Sequence, residues 1–272
     1  MKEINRPLPW ERRPAAGAVL FAAAVVTVGW LMYTPEGLLG KADAIGYAVC
    51  HQIDLRSFHM GDRAISLCAR CTGMYLGALL GLAVLQIRSP RRGGVMPGRV
   101  NAFLGLLALF FALDGLNSFT NLIPGFPSVY TTTNTIRVFA GTGFGLVMAA
   151  FLFPAFNQTV WTDWTDEPPV RDLRDLASLL GLGALTAAII LTGNPLILYP
   201  ASLLSAAAPV LILTMVYSLV VLIVFKKENF AGSPGKLAVP LLIGFTTAMV
   251  QIAAIDLLRF FITGTWDGFH LG

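Results

Sequence analysis

All three cysteines and two of the three histidines of this chain fall in one stretch, CHQIDLRSFHMGDRAISLCARCTGMYLG, residues 50–77. Thiolates and imidazoles bind borderline-soft metal ions, and thiolates also carry redox chemistry. Three chemistries fit the spacing. In the first, Cys68 and Cys71 form the C-x-x-C half of a zinc site, and Cys50 with His51 or His59 completes a Cys3His tetrahedron. Another transition metal would suit the same donors. The adjacency of Cys50 and His51 makes joint ligation awkward. In the second, the C-x-x-C pair is a disulfide that exchanges with Cys50 or with a partner. A quinone among the neighbouring helices takes the electrons, and the odd cysteine count leaves one thiol to react. In the third, the thiols are small buried hydrophobes with one structural disulfide at most. Arg70 between the cysteines, with Arg56 and Arg63 near it, lowers a thiol pKa, which serves the first two chemistries alike. His59, in SFHMGD, reads as a solvated loop residue, and His270 as a neutral residue of a terminal tail.

The elements that must position these groups lie in a membrane. The chain is 56% hydrophobic and 12% charged, against about 25% charged in soluble domains. No basic patch interleaved with aromatics points to nucleic acid. Seven apolar runs, roughly 15–33, 66–87, 100–118, 133–153, 174–193, 200–225 and 237–262, are long enough to span. Backbone groups in lipid must bond internally, so an all-α polytopic helix bundle is expected. The N-terminal run is followed by no A-x-A site and reads as a retained helix rather than a signal peptide. The fifth and sixth runs are barely separated, by Asn194, Pro195 and Pro200.

Basic residues set an orientation. Lys2, Arg6, Arg12 and Arg13, then Arg88, Arg91, Arg92 and Arg99, then Lys226, Lys227 and Lys236 all fall on one side of a seven-span topology. The connectors 121–132 and 193–199 carry no Lys or Arg. The positive-inside rule then puts the N-terminus in the cytoplasm and the Cys/His stretch at the extracytoplasmic face of the cytoplasmic (inner) membrane. Lys41, Arg56, Arg63 and Arg70 on that outer side stand against the assignment. Four helices bring polar residues to the outer level: Cys68, Cys71 and Tyr75 on one face; Asp114 with Asn117; Asn134 with Arg137; Asp256 with Arg259. Ionisable residues in spans usually face the bundle interior and pair. Asp114 with Arg137 is the expected pair, either a clamp between two helices or the wall of a pocket for a headgroup, an ion or a quinone carbonyl. Gly73, Gly77 and Gly81, and Gly141, Gly143 and Gly145, read as close helix-packing surfaces.

The sequence also resembles a known family. CHQ, then R-S-F, then L-C-A-R-C-T-G-M-Y-L-G is similar to a pattern in small prokaryotic integral membrane proteins that form a domain of unknown function. The pattern continues in Asp114-Gly115 and in Thr133-Asn134-Thr135-Ile136-Arg137 with Gly141. The resemblance covers about 45–155 and implies a three-helix membrane module. Its signature is Cys50, His51, Gln52, Arg56, Ser57, Phe58, Cys68, Arg70, Cys71, Gly73 and Tyr75. It implies no activity, and His59 lies outside the pattern, which favours His51 as the fourth ligand. The chain therefore divides into a tail and first helix (1–44), the module (45–155) and three C-terminal helices (156–272). The expected site is Cys50, His51, Cys68 and Cys71 on zinc, beside Asp114, Asn117, Asn134, Arg137 and Tyr75 as a cofactor-binding layer. A quinone-linked thiol oxidoreductase and an accessory subunit of a larger membrane complex are the alternatives.

Overall fold

The computed structural model describes residues 13–121, 123 and 129–268. Lys2, Arg6, Arg12 and His270 lie outside them, as does half of the 121–132 connector. Among the described residues, seven helices are long and apolar enough to cross a membrane. They are α1 (Arg13–Tyr33), α3 (Ala69–Arg88), α4 (Gly98–Thr120), α5 (Asn134–Val160), α6 (Leu173–Leu191), α7 (Pro195–Val224) and α8 (Ala238–Thr263). The chain is an all-α, multi-pass membrane helix bundle, as composition and hydropathy require. A shorter helix, α2 (Gly37–Val49), and a two-stranded antiparallel hairpin, β1 (Ser57–Met60) and β2 (Arg63–Cys68), stand between the first two spans.

The helix limits follow local chemistry. The turn between α6 and α7 is Thr192-Gly193-Asn194-Pro195. Gly193 takes a left-handed φ of 66°, the Asn194 side chain caps Leu196 N–H, and Pro195 opens the helix where its missing donor costs nothing. The sixth span therefore begins at Pro195, not at 200, and Pro200 lies inside it. Thr133 caps α5 through Ile136 N–H, and Asp172 caps α6 through Arg174 and Asp175 N–H.

The central helix is α5, with 67% of its spanning window buried against 11% for α1. Its main partner is α3, and the two approach through glycine from both sides. A Cβ on Gly141 would lie 2.1 Å from Arg70 O, and one on Gly145 would lie 2.0 Å from Met74 O. From the other side, Gly73 and Gly77 would meet Val138 O at 2.3 Å and Thr142 O at 2.5 Å. Small residues let the two backbones touch. This contact sets Arg70, Cys71 and Tyr75 on α3 against the start of α5.

The stretch between α2 and α3, which includes the SFHMGD segment read as a loop, is ordered by tertiary burial. In β2, Ile65, Ser66, Leu67 and Cys68 are all buried. Ser66 N–H donates to Ser202 Oγ on α7 at 3.1 Å. Gln52, at a left-handed φ of 51°, donates from Nε2 to Asp43 O and Ser66 O, both at 2.9 Å, which ties α2 to β2. The strand continues through Cys68, which has extended dihedrals and is the N-cap of α3. The expected helical face of Cys68, Cys71 and Tyr75 is corrected accordingly: only Cys71 and Tyr75 are helical. Pairing with β1 and burial on α7 hold the chain extended for the residues a hydropathy window assigns to the span.

Candidate metal centre

The strand end, the α3 start and the α2 end converge on three sulfurs. Cys50 is the C-cap of α2, Cys68 the N-cap of α3, and Cys71 lies in the first turn of α3. Their Sγ atoms all lie within 4.8 Å of one another. All three are free thiols, with Cys50 and Cys68 buried and Cys71 partly so. Two backbone N–H groups, of Gln52 and Cys68, point at Cys50 Sγ, each at 3.4 Å. Donors aimed at sulfur favour a thiolate, and such outer contacts orient ligands.

Cys68 carries the anionic character of the cluster. Hydrogen bonds from the Cys50 and Cys71 thiols hold it well below the ordinary thiol range, against the opposing effect of burial, and His51 adds to the depression. The bond to Cys68 has the reverse effect on Cys50, keeping its proton on and pushing its pKa up. Tyr75 packs on this cluster, with Leu67 and Val49.

His51 stands beside the sulfurs but is not one of the three mutually close ligand atoms. Its Nδ1 accepts Ile53 N–H at 3.0 Å, so Nε2 is the atom available for coordination. His59 pairs with Asp54 at 2.9 Å on the exposed part of the hairpin.

A second polar group lies against the C-terminal end of α4. Here the expected Asp114–Arg137 pair is not formed. Asp114, fully buried, pairs with Arg70 and accepts the Tyr130 hydroxyl at 2.7 Å. Arg137 instead donates to Asn134 Oδ1 at 2.9 Å and Ser118 Oγ at 3.3 Å. Arg56 reaches over from the end of a 3-10 turn and donates to Ser118 O at 2.8 Å. Sequence spacing gives the depth of each charge along its helix but not the azimuth that selects a partner. Asn134 also donates to Ser57 O at 3.3 Å, joining α5 to the hairpin.

Asn117 faces the connector after α4. It donates to Tyr130 O at 2.8 Å and Thr132 Oγ1 at 3.2 Å, and accepts Val129 N–H at 2.8 Å. Replacing Asn117 by Ala removes three hydrogen bonds, and of their partners only Thr132 is buried while Tyr130 O keeps the Asn121 amide, so the loss is about 1 kcal/mol. The expected result is a lower melting temperature with faster amide exchange at Val129, and unchanged exchange there would remove this role.

The opposite wall is α8. Asp256 and Arg259, expected as an interfacial pair, reach different partners. Asp256 accepts Trp30 Nε1–H at 2.9 Å, joining α8 to α1. Arg259 donates to Tyr47 O at 2.6 Å and Cys50 O at 2.8 Å, with its guanidinium 3.8 Å from the centre of the Tyr47 ring. A cation at the carbonyl end of α2 meets the negative end of that helix. Arg259 therefore fixes the backbone of the first cysteine. The sequence signal for it was a charge inside a span that had to find an acceptor.

The basic residues of the 34–70 region are also engaged. Lys41 donates to Thr34 O at 2.9 Å at the end of α1, as well as to Leu31 O, and Arg63 pairs with Asp43.

Comparison with known proteins matches this region. Residues 50–151 match the model of a family described as Predicted membrane protein (DUF2085). That segment contains the three cysteines, the hairpin, α3, α4 and most of α5. The chain is also similar to an uncharacterized protein of Methanocaldococcus jannaschii, MJ1492, at 25% identity over 118 residues. The match covers 43% of this chain and 70% of the archaeal protein. No solved structure matches the chain.

Proposed function

We propose that this membrane protein holds a transition-metal ion, zinc first, on Cys50, Cys68 and Cys71, at the extracytoplasmic face of the cytoplasmic membrane. The observation that carries the reading is the mutual approach of the three sulfurs within 4.8 Å. Thiolates about 2.3 Å from a tetrahedral zinc are separated by about 3.8 Å, so a small closure of side chains suffices. The donor set is soft, which suits zinc or copper(I) better than magnesium or calcium. His51 Nε2 is the proposed fourth ligand. The side assignment follows from the positive-inside pattern. It is supported by the engagement of Lys41, Arg56, Arg63 and Arg70 in intramolecular contacts, which accounts for basic residues on the outer side.

A bound ion would supply a cross-link between the end of α2, the hairpin and the start of α3, or Lewis acidity if one coordination position is open. The residues around it have separable tasks. Arg259 holds the Cys50 carbonyl, Gln52 fixes the turn after it, and the close approach of Gly73 to Val138 O and of Gly141 to Arg70 O sets the position of Cys71. Asp114, Asn117, Asn134 and Arg137 order the adjoining ends of α4 and α5, and Tyr75 shields the sulfurs.

The depressed Cys68 thiol favours one second reading, a thiol–disulfide exchanger. There the Cys68 thiolate attacks a partner disulfide and expels one partner thiolate; Cys71 then attacks the Cys68 sulfur and expels the second, so the partner is reduced to a dithiol and the C-x-x-C pair is oxidised to a disulfide. The two readings separate on Cys50. A ligand held at about a thousand times its Kd stabilises the fold by about 4 kcal/mol. Under the metal reading Cys50→Ser, Cys68→Ser and Cys71→Ser each lose a comparable part of that, and a chelator lowers the melting temperature of the wild type alone. A harmless Cys50→Ser beside damaging changes in the C-x-x-C pair would favour exchange chemistry.

A further inference from the structure

We infer that Arg56, Arg70 and Arg137 form an oxyanion-binding site, for a phosphate or similar group, at the end of α4 beside the cysteine cluster. The three guanidiniums come from three separate elements and converge on residues 114–118. Arg56 takes Ser118 O, Arg137 takes Ser118 Oγ, and Arg70 takes the Asp114 carboxylate and its carbonyl. Arg137 lies within electrostatic range of Arg56, Arg70, Cys68 and Asp114.

The charges do not balance. Among the described residues, three guanidinium charges face Asp114 and, at most, the Cys68 thiolate, so a positive charge is left over. The negative end of α4 contributes only about half a charge. Burial makes that excess expensive, because an uncompensated charge removed from water finds no screening. Arg56 and Arg137 are 9% and 8% exposed, and the Arg70 side chain is 14% exposed. Burial and the neighbouring Arg70 both work against the charge on Arg56.

Donors are also left over. Nε of Arg70 and Nε of Arg137 are buried and have no hydrogen-bond partner among the described residues. Buried donors are paired in nearly all folded proteins, so two orphan guanidinium N–H groups in one cluster need an acceptor. A tetrahedral oxyanion supplies both the negative charge and several acceptor oxygens, and the planar fork of Arg matches it in a way that Lys does not. A neutral carbonyl, such as that of a quinone, would satisfy one donor and leave the charge. The same phosphate chemistry is offered by free phosphate and by the headgroup of an anionic lipid.

The inference is independent of the metal, and its test reads a different quantity. The purified protein in neutral detergent is melted with increasing inorganic phosphate, with sodium chloride at equal ionic strength, and with added phosphatidylglycerol or phosphatidylcholine of the same chains. Phosphate or phosphatidylglycerol is expected to raise the melting temperature above its control. A rise with phosphate identifies a free anion, and a rise with phosphatidylglycerol alone identifies a headgroup. In Arg137→Gln the apparent affinity is expected to fall about tenfold, the worth of one charge-assisted contact. Arg137→Lys keeps the charge and loses the fork, so its affinity falls between the two, and it decides the matter if Arg137→Gln does not fold. Neither additive exceeding its control, or an equal response in wild type and the Arg137 variants, would overturn the inference.

Discussion

Replacing Asp114 by Ala is expected to destabilise the protein by about 3–5 kcal/mol, the loss typical when one partner of a buried ion pair is removed. Asp114 is fully buried and is the carboxylate to which Arg70 is paired. Its loss leaves the Arg70 guanidinium buried among Arg56 and Arg137, and leaves the Tyr130 hydroxyl without its acceptor. The effect is larger than for an exposed pair such as Arg171–Asp175, which solvent screens. A double-mutant cycle identifies the partner. Coupling should be strong between Asp114 and Arg70 and weaker between Asp114 and Arg137. The reverse order would restore the pairing expected from helix spacing and would contradict the site as described.

The second large effect lies at the helix crossing. Gly141→Ala is expected to cost about 3 kcal/mol or more, at the upper end for overpacking. Its new Cβ would lie 2.1 Å from Arg70 O and 3.0 Å from Met74 N, and both are backbone atoms that cannot rotate away. The helices must part, and Arg70 and Cys71 move with α3. Metal content should therefore fall together with stability. Gly143→Ala is the control, two residues along the same helix. Its Cβ meets only Leu107 Cδ2, at an ordinary 3.5 Å. Helix propensity alone then makes that change neutral or stabilising, by up to about 1 kcal/mol. Similar melting temperatures for the two variants would show that α3 and α5 are not in backbone contact.

Much of this architecture is legible in the residues because membrane insertion imposes strong patterns. The seven spans, the connectors and the gathering of the cysteines follow from hydropathy and spacing. The glycines at four-residue intervals announce a close crossing, and the structure supplies the partner. What is illegible depends on azimuth or on tertiary burial. Arg70 and Arg137 have similar depth, and only the rotation of α3 and α5 about α4 decides which one meets Asp114. The hairpin is too short for a clear alternation signal and is held by α2 and α7, far apart in sequence. α2, at 13 residues, is below spanning length, so a window tuned to spans passes over it. Both hide the fact that Cys68 caps α3 rather than lying on its face. Arg259 fixing the Cys50 carbonyl joins residues 209 apart in the chain, and no local pattern predicts it.

The most direct test of the metal centre is the metal content of the full chain, purified in detergent under mild reductant and scaled to protein concentration. The three-sulfur site predicts about one zinc, or one copper, per chain in the wild type, and none in a Cys68→Ser variant that still folds. A wild-type protein without metal, or a Cys68→Ser protein that keeps it, would contradict a metal centre on these cysteines.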